Sequence, residues 1–217
     1  MAELDEQTRE AIALIGATLG PFFLNDPEHD AERIAPGLEA VAALEVDAAA
    51  EEWPFVVDNA ALAALTKMRD GLAEGIDDED LIWEYRRLFV GPAAKPAPPW
   101  GSVYTDKDMV VFGASTMELR NWMHRNGIEM QKGESDEPED HIGIMLELLA
   151  WLAQERPELV DEFLSQHLLT WSSHFLEQLS DAAQQPFYEG LADLARLSLE
   201  GMQDQLHLEV EYPRYYR

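Results

Sequence analysis

Glu137, Asp140 and His141 place two carboxylates and an imidazole within the segment Glu137-Pro138-Glu139-Asp140-His141. Side chains of these types could move protons, ligate iron or zinc, or pair with a guanidinium group. Pro138 reads as the first helical position of a helix that runs into the apolar stretch from Ile142 to Leu152. That reading puts Glu137, Asp140 and His141 at i, i+3 and i+4 of one helix end. Pro138 and Glu139 are also ordinary helix-start residues, and Glu139 is assigned that role alone. Upstream, Pro98-Pro99-Trp100-Gly101-Ser102 presents the largest apolar side chain from a stiff, extended segment. An aromatic framed by prolines has no periodic reason to be buried, so Trp100 is expected to face a ligand.

Apolar residues recur at helical spacing in the elements that must hold these groups. Ala11, Ile12, Ile15 and Leu19 predict an opening helix, and Leu38, Val41 and Leu44 a short one after Pro36. Asn59 to Leu72 reads as a third. The next begins at the acidic turn Asp77 to Asp80, turns Leu81, Ile82, Tyr85, Leu88 and Phe89 inward, and stops at Gly91-Pro92. Residues 91–108 then hold four prolines and two glycines, a composition expected of a functional loop. Met109 to Phe112 reads as extended, and Ser115 with Glu118 as a capping box for a helix that ends at Gly127. After a polar stretch, 128–136, helices are expected at 138–154, 157–168, 171–183 and 186–206, and the tail from Tyr212 is expected to be loosely held. No internal repeat and no sustained heptad is visible. The expectation is an all-α, single-domain helical bundle spanning 1–217, with a long Pro-rich functional loop.

Enzyme chemistry finds little support. A carboxylate-bridged di-iron bundle needs Glu-x-x-His pairs, and none of the six histidines has a glutamate three residues before it. There is no His-Glu-x-x-His, no phosphate-cradling Gly-x-x-x-x-Gly-Lys and no dinucleotide fingerprint, and Gly113-Ala114-Ser115 lacks the second glycine of a nucleophile elbow. A metal-dependent hydrolase or oxygenase would have to rest on Glu137, Asp140 and His141 alone.

The formal net charge of −28 makes nucleic acid and anionic membrane poor partners, since both need a basic face. Hydrophobic residues at 47% and six tryptophans are enough to build a core despite that charge. With no cysteine, disulfides, thiolate catalysis and cysteine-ligated clusters are excluded, and no cofactor is expected. Met1 to Glu6 lacks the pattern of a signal peptide, and Glu147 interrupts the apolar stretch from Ile142 to Ala153, so a soluble cytoplasmic protein is expected.

Several motifs in order resemble the TorD/DmsD family of twin-arginine redox-enzyme maturation chaperones. They are Glu84-Tyr85-Arg86-Arg87-Leu88-Phe89-Val90-Gly91-Pro92, then Pro96 and Pro98 to Ser102, then Phe112-Gly113-Ala114-Ser115-Thr116. Glu137 to His141, His167-Leu168-Leu169-Thr170-Trp171 and Pro186-Phe187-Tyr188 continue the series. The likeness covers roughly residues 80–206; the first eighty match only in helical character.

The resemblance implies a chaperone that binds the twin-arginine leader of a molybdopterin oxidoreductase and assists cofactor insertion and folding before export. It implies leader contacts at Pro98, Pro99, Trp100, Gly101, Ser102, Tyr104, Glu137, Pro138, Asp140, His141 and Trp171. Such a leader carries two guanidinium groups and then an apolar stretch, so its receptor needs carboxylates at one end and an apolar floor at the other. Asp140 and Glu137 fit the first role; Trp100, Tyr104, Phe89 and Trp171 fit the second, although the spacing of Tyr85 and Phe89 favours core packing. His141 is expected to bridge carboxylate and backbone and so fix Asp140. The family also implies that monomers and domain-swapped dimers are both accessible, with 91–108 as a hinge. A general assembly factor for a respiratory complex is the remaining alternative.

Overall fold

The computed structural model describes residues 4–129 and 137–217. Helices account for most of them, and the described residues contain no strand, only an isolated bridge between Trp100 and His141. The first is α1, Glu6–Leu24, capped by the Asp5 carboxylate, which accepts from the Thr8 N–H at 2.7 Å. Then come α2 (Ala31–Ala42), α3 (Val46–Glu52), α4 (Asp58–Asp70) and α5 (Glu79–Tyr85), the last prolonged by a π turn, Arg86–Val90. After the Pro-rich segment follow α6 (Gly101–Thr105) and α7 (Ala114–Arg125). The second half holds α8 (Ile142–Glu155), α9 (Val160–Phe163) with a π turn at Leu164–Leu168, α10 (Ser172–Ala182) and α11 (Pro186–Gln205).

Several of these elements depart from the expected ones for clear reasons. Pro36 lies inside α2 rather than before it, at the sixth helical position, where the helix forgoes one bond, to the Glu32 carbonyl. The short α3 carries too few apolar residues for its period to show. Met109 to Phe112 is not extended: φ is +49° at Met109 and +65° at Phe112, which turns the chain at both ends of the run. Ser115 does not cap α7, because Gly113 occupies that position and the Ser115 N–H is taken by the Asp106 carboxylate at 3.3 Å.

The buried side chains join one core in which α1 packs along α8, α4 along α11, and α10 along α11. Most of the family motifs turn out to build it. Tyr85 and Phe89 are buried among Phe23 and Tyr188, with the Tyr85 hydroxyl donating to the Phe23 carbonyl at 3.3 Å. Glu84 and Arg87 form a two-pronged pair at 2.6 and 2.8 Å. Arg87 also donates to the Ala182 carbonyl, and Glu84 accepts from the Gln184 N–H, so the pair ties α5 to the α10–α11 link. Trp122 is fully buried against Phe163 and His167, whereas Trp83 and Trp151 are exposed. No described helix is long and apolar enough to cross a membrane.

Candidate functional site

The two motifs nominated by the sequence meet, backbone to backbone. Ile142 N–H donates to the Pro99 carbonyl at 2.8 Å, and Gly101 N–H to the Asp140 carbonyl at 3.1 Å. Trp100 thus lies in extended backbone (φ −116°, ψ 132°) paired antiparallel with His141. This pairing requires residues 138–140 to be a turn. The helix therefore starts at Ile142 rather than Pro138, with His141 as its cap.

That shift scatters the expected cluster. Glu137 is exposed and accepts from Trp100 Nε1 at 2.9 Å. Asp140 is buried, and its Oδ2 accepts from the Ser102 N–H at 2.8 Å. His141 is buried too, but its Nδ1 accepts from the Gly143 N–H at 3.1 Å rather than bridging to Asp140. Nδ1 as acceptor leaves the ring proton on Nε2. Burial lowers the His141 pKa to about 3, so the imidazole is neutral and serves as a helix cap. Glu139, given only a helix-start role, instead pairs with Arg120 on α7 at 2.6 Å.

The other nominated residues form the frame. Pro98, Pro99, Gly101, Ser102 and Pro138 are buried. Tyr104 and Trp171 lie beneath the surface, 0% and 2% exposed, stacked at 6.0 Å between centroids and 15° between planes. The Trp171 indole would meet a Cβ at Gly101 at 2.7 Å, which is why a glycine follows Trp100. Trp100 alone among the expected aromatics is partly open, edge-on to His141 with Lys95 Nζ 5.2 Å from its ring centre.

Beside this frame lies a cleft of about 280 Å³ lined by Asp106, Glu118, Asp140, His167, Trp171 and Glu211, among others. Among the described residues nothing completes a hydrogen bond to Asp140 Oδ1. Burial raises the Asp140 pKa, opposed by the Ser102 N–H and the nearby Thr116 hydroxyl. A buried carboxyl with one oxygen unpaired, in an acidic cleft, is suited to a cationic ligand. Asp106, Glu118 and Glu211 were not among the nominated residues, because nothing in their local sequence distinguishes them from the acids that cover the rest of the surface.

The tail, expected to be loosely held, is docked across this region. Tyr216 N–H donates to the Tyr104 carbonyl at 3.0 Å, the Tyr215 hydroxyl donates to the Thr170 carbonyl at 2.9 Å, and the Tyr215 ring stacks on His174 at 4.3 Å. The Arg217 guanidinium donates to the carbonyls of Lys95 and Pro96. Glu211 and Pro213 thereby form one wall of the cleft. The described residues contain no group of three or more His, Asp or Glu side chains arranged to hold a metal ion.

The helical frame thus seats a Pro-Pro-Trp-Gly-Ser turn against a helix start beside an acidic cleft. Residues 57–177 match the family model described as nitrate reductase delta subunit. The chain is 38% identical over 213 residues to a probable Tat proofreading chaperone DmsD from Haemophilus influenzae, covering 98% of this chain and all of that one. It is 41% identical over 210 residues to the Tat proofreading chaperone DmsD of Salmonella typhimurium, covering 96% and 97%. A chaperone protein TorD from Vibrio cholerae is 30% identical over 59% of this chain and 61% of its own. A crystal structure of a putative redox enzyme maturation protein from Archaeoglobus fulgidus shares the fold, with a TM-score of 0.53 at 22% identity over 91% and 96% of the chains. The chain belongs to the TorD/DmsD family.

Proposed function

We propose that this protein is a cytoplasmic chaperone, acting as one domain, that binds the twin-arginine leader of a molybdopterin oxidoreductase and holds that enzyme until its cofactor is inserted and it has folded. The likeness to Tat proofreading chaperones over nearly the whole chain supports this reading. The observation that carries it to a site is the cleft lined by Asp140 and further carboxylates, next to a partly exposed Trp100. One leader arginine is read as entering this cleft, where its guanidinium meets the carboxylates that line it, Asp140 among them, and Trp100 and Glu137 as meeting the peptide at the rim. Pro98, Pro99, Gly101, Ser102, Tyr104, Pro138, His141 and Trp171 act by fixing that geometry from beneath.

The metal-enzyme alternative loses its basis in geometry, since Glu137, Asp140 and His141 are directed to three different partners. Titration calorimetry of the purified chain with a synthetic leader peptide tests the proposal. Binding is expected, and replacing both peptide arginines by lysine is expected to weaken it, because an ammonium cannot reproduce the fork. Equal binding of a scrambled peptide, or none of the leader, would overturn it.

A further inference from the structure

The cleft and the run Met109-Val110-Val111-Phe112 are two parts of one short stretch of chain, and Asp106 belongs to both. Its carboxylate lines the cleft and accepts from the Ser115 N–H and hydroxyl at 3.3 Å, while its carbonyl accepts from the Met109 N–H at 3.0 Å. A Cβ at Gly113 would overlap that carboxylate, so the glycine permits the closure. The run between these fixings projects outward. Met109, Val110, Val111 and Phe112 are 50%, 48%, 37% and 52% exposed, and Met117 on α7 adds a fifth apolar side chain at 46%.

Scattered exposed apolar residues are normal, but a contiguous run of four is not what a merely solvated loop carries. Nor is Phe112 free to fold back: the Arg120 guanidinium lies 5.3 Å from its ring centre and is itself fixed by Glu139. Met109 and Phe112 both hold positive φ, a conformation bulky side chains adopt only where the surroundings impose it. The loop is thus built to present apolar surface.

We infer that Met109 to Phe112, with Met117, is the docking surface for the apolar stretch that follows the arginines of a twin-arginine leader, and this rests on the leader-binding reading above. Two observations select this occupant. The loop is joined to the acidic cleft through Asp106, which lines the cleft and accepts from the Met109 N–H, so a ligand with a cation next to an apolar segment can engage both. The charge of the cleft, from Asp106, Glu118, Asp140 and Glu211, complements the cationic end of that ligand and no acidic or neutral one. Of the four aromatics expected to form the apolar floor, Tyr104, Trp171 and Phe89 are covered, at 0%, 2% and 7% exposed, and Trp100 is only partly open. The loop supplies the surface they cannot.

The test measures binding of three peptides to the full chain: the leader, the leader with its apolar stretch made polar, and the leader with both arginines changed to lysine. The Val110→Ser, Phe112→Ser double variant is expected to bind the leader about tenfold more weakly than wild type and the polar-stretch peptide no differently. Asp140→Asn is expected to weaken binding of both. A photo-crosslinking residue in the apolar stretch of the leader is expected to attach to residues 109–112 or Met117 in the wild-type chain, which tests the site without any substitution in the protein. Undiminished leader binding by the double variant, an equal loss for both peptides, or attachment elsewhere would overturn the inference while leaving leader binding intact. So would a wild-type dimer, seen by sedimentation, that the double variant dissociates without change in peptide affinity, since the loop would then serve a second copy. If the wild-type chain binds no leader at all, the functional reading fails and this inference with it.

Discussion

The junction around Trp100 and the loop from Asp106 to Gly113 lie at the two ends of α6 and are built in opposite ways. At the junction the polar side chains hold the frame together, Asp140 binding the Ser102 N–H, His141 the Gly143 N–H and Glu137 the Trp100 indole. In the loop the polar bonds sit at the two ends and the apolar side chains between them are left to solvent. Residue types with unusual demands on the backbone, such as proline, glycine and a capping histidine, mark the frame of a site. The surface a ligand would touch is marked instead by apolar groups with nothing to bury them.

Stability gives the widest separation between the two regions. Trp171→Ala should cost about 3–5 kcal/mol and Leu146→Ala about 2–5, as large-to-small changes at sites 2% and 0% exposed. Phe112→Ser should stay within about 0.5 kcal/mol. Chemical denaturation of the three variants checks this, and a Phe112→Ser cost equal to that of Trp171→Ala would erase the distinction by making the loop part of the core.

Asp140 belongs to both sides of the comparison, and Asp140→Asn separates its structural role from its binding role. A carboxamide oxygen can still accept from the Ser102 N–H, and the buried charge is removed, so stability should change by less than about 1 kcal/mol. Leader affinity should fall by about tenfold to a hundredfold, the worth of a hydrogen bond between charged groups. A variant that unfolds but binds normally when refolded would make Asp140 purely structural.

The histidine cap carries a pH signature. In the folded chain burial lowers the His141 pKa to about 3, against 6.5 for an unhindered imidazole, and lowers that of His167 to about 4, with the charge of Arg125 adding to burial. The unfolded chain therefore binds protons first as pH falls. The stabilisation is fully present above pH 6.5 and is lost on the way down towards the folded values, at about 1.4 kcal/mol per pH unit per group. Asp140 acts with the opposite sign: its raised pKa gives stability that is lost as pH rises above 3.8. His141→Asn keeps a capping acceptor without the titration, so the stability gap between wild type and variant should narrow as pH falls from 6.5, whatever the other groups do. A gap independent of pH would mean that His141 is accessible to protons.

Much of this frame was legible in the sequence. The period of the apolar residues marked most helices, and the Pro-Pro-Trp-Gly-Ser and Glu-Pro-Glu-Asp-His motifs do meet. What periodicity could not reveal was the backbone pairing of Trp100 with His141. That pairing moves the helix start from Pro138 to Ile142, and with it the directions of Glu137, Asp140 and His141. Asp106 was illegible because its role depends on residue 113 lacking a Cβ, a contact across the turn rather than along it. Of the polar stretch 128–136, residues 130–136 lie outside the described residues.

The smallest effect concerns the tail, which crosses the cleft between the two regions without belonging to either. Residues 211–217 are mostly exposed, with Tyr215 the half-buried anchor between Thr170 and His174. A segment held by one stacked ring and a few solvent-facing hydrogen bonds opens locally, far below the free energy of global unfolding. Tyr215→Ala should therefore lower global stability by no more than about 1 kcal/mol, since the ring pair contributes little more than that. Local order should respond much more strongly. The Tyr216 amide, bonded to the Tyr104 carbonyl, should lose its protection from hydrogen exchange, while amides in the middle of α8 and α11 exchange as in the wild type. If the Tyr216 amide remains protected in the variant, the Arg217 contacts to Lys95 and Pro96 suffice to hold the tail, and the wall formed by Glu211 and Pro213 is as fixed as the frame behind it.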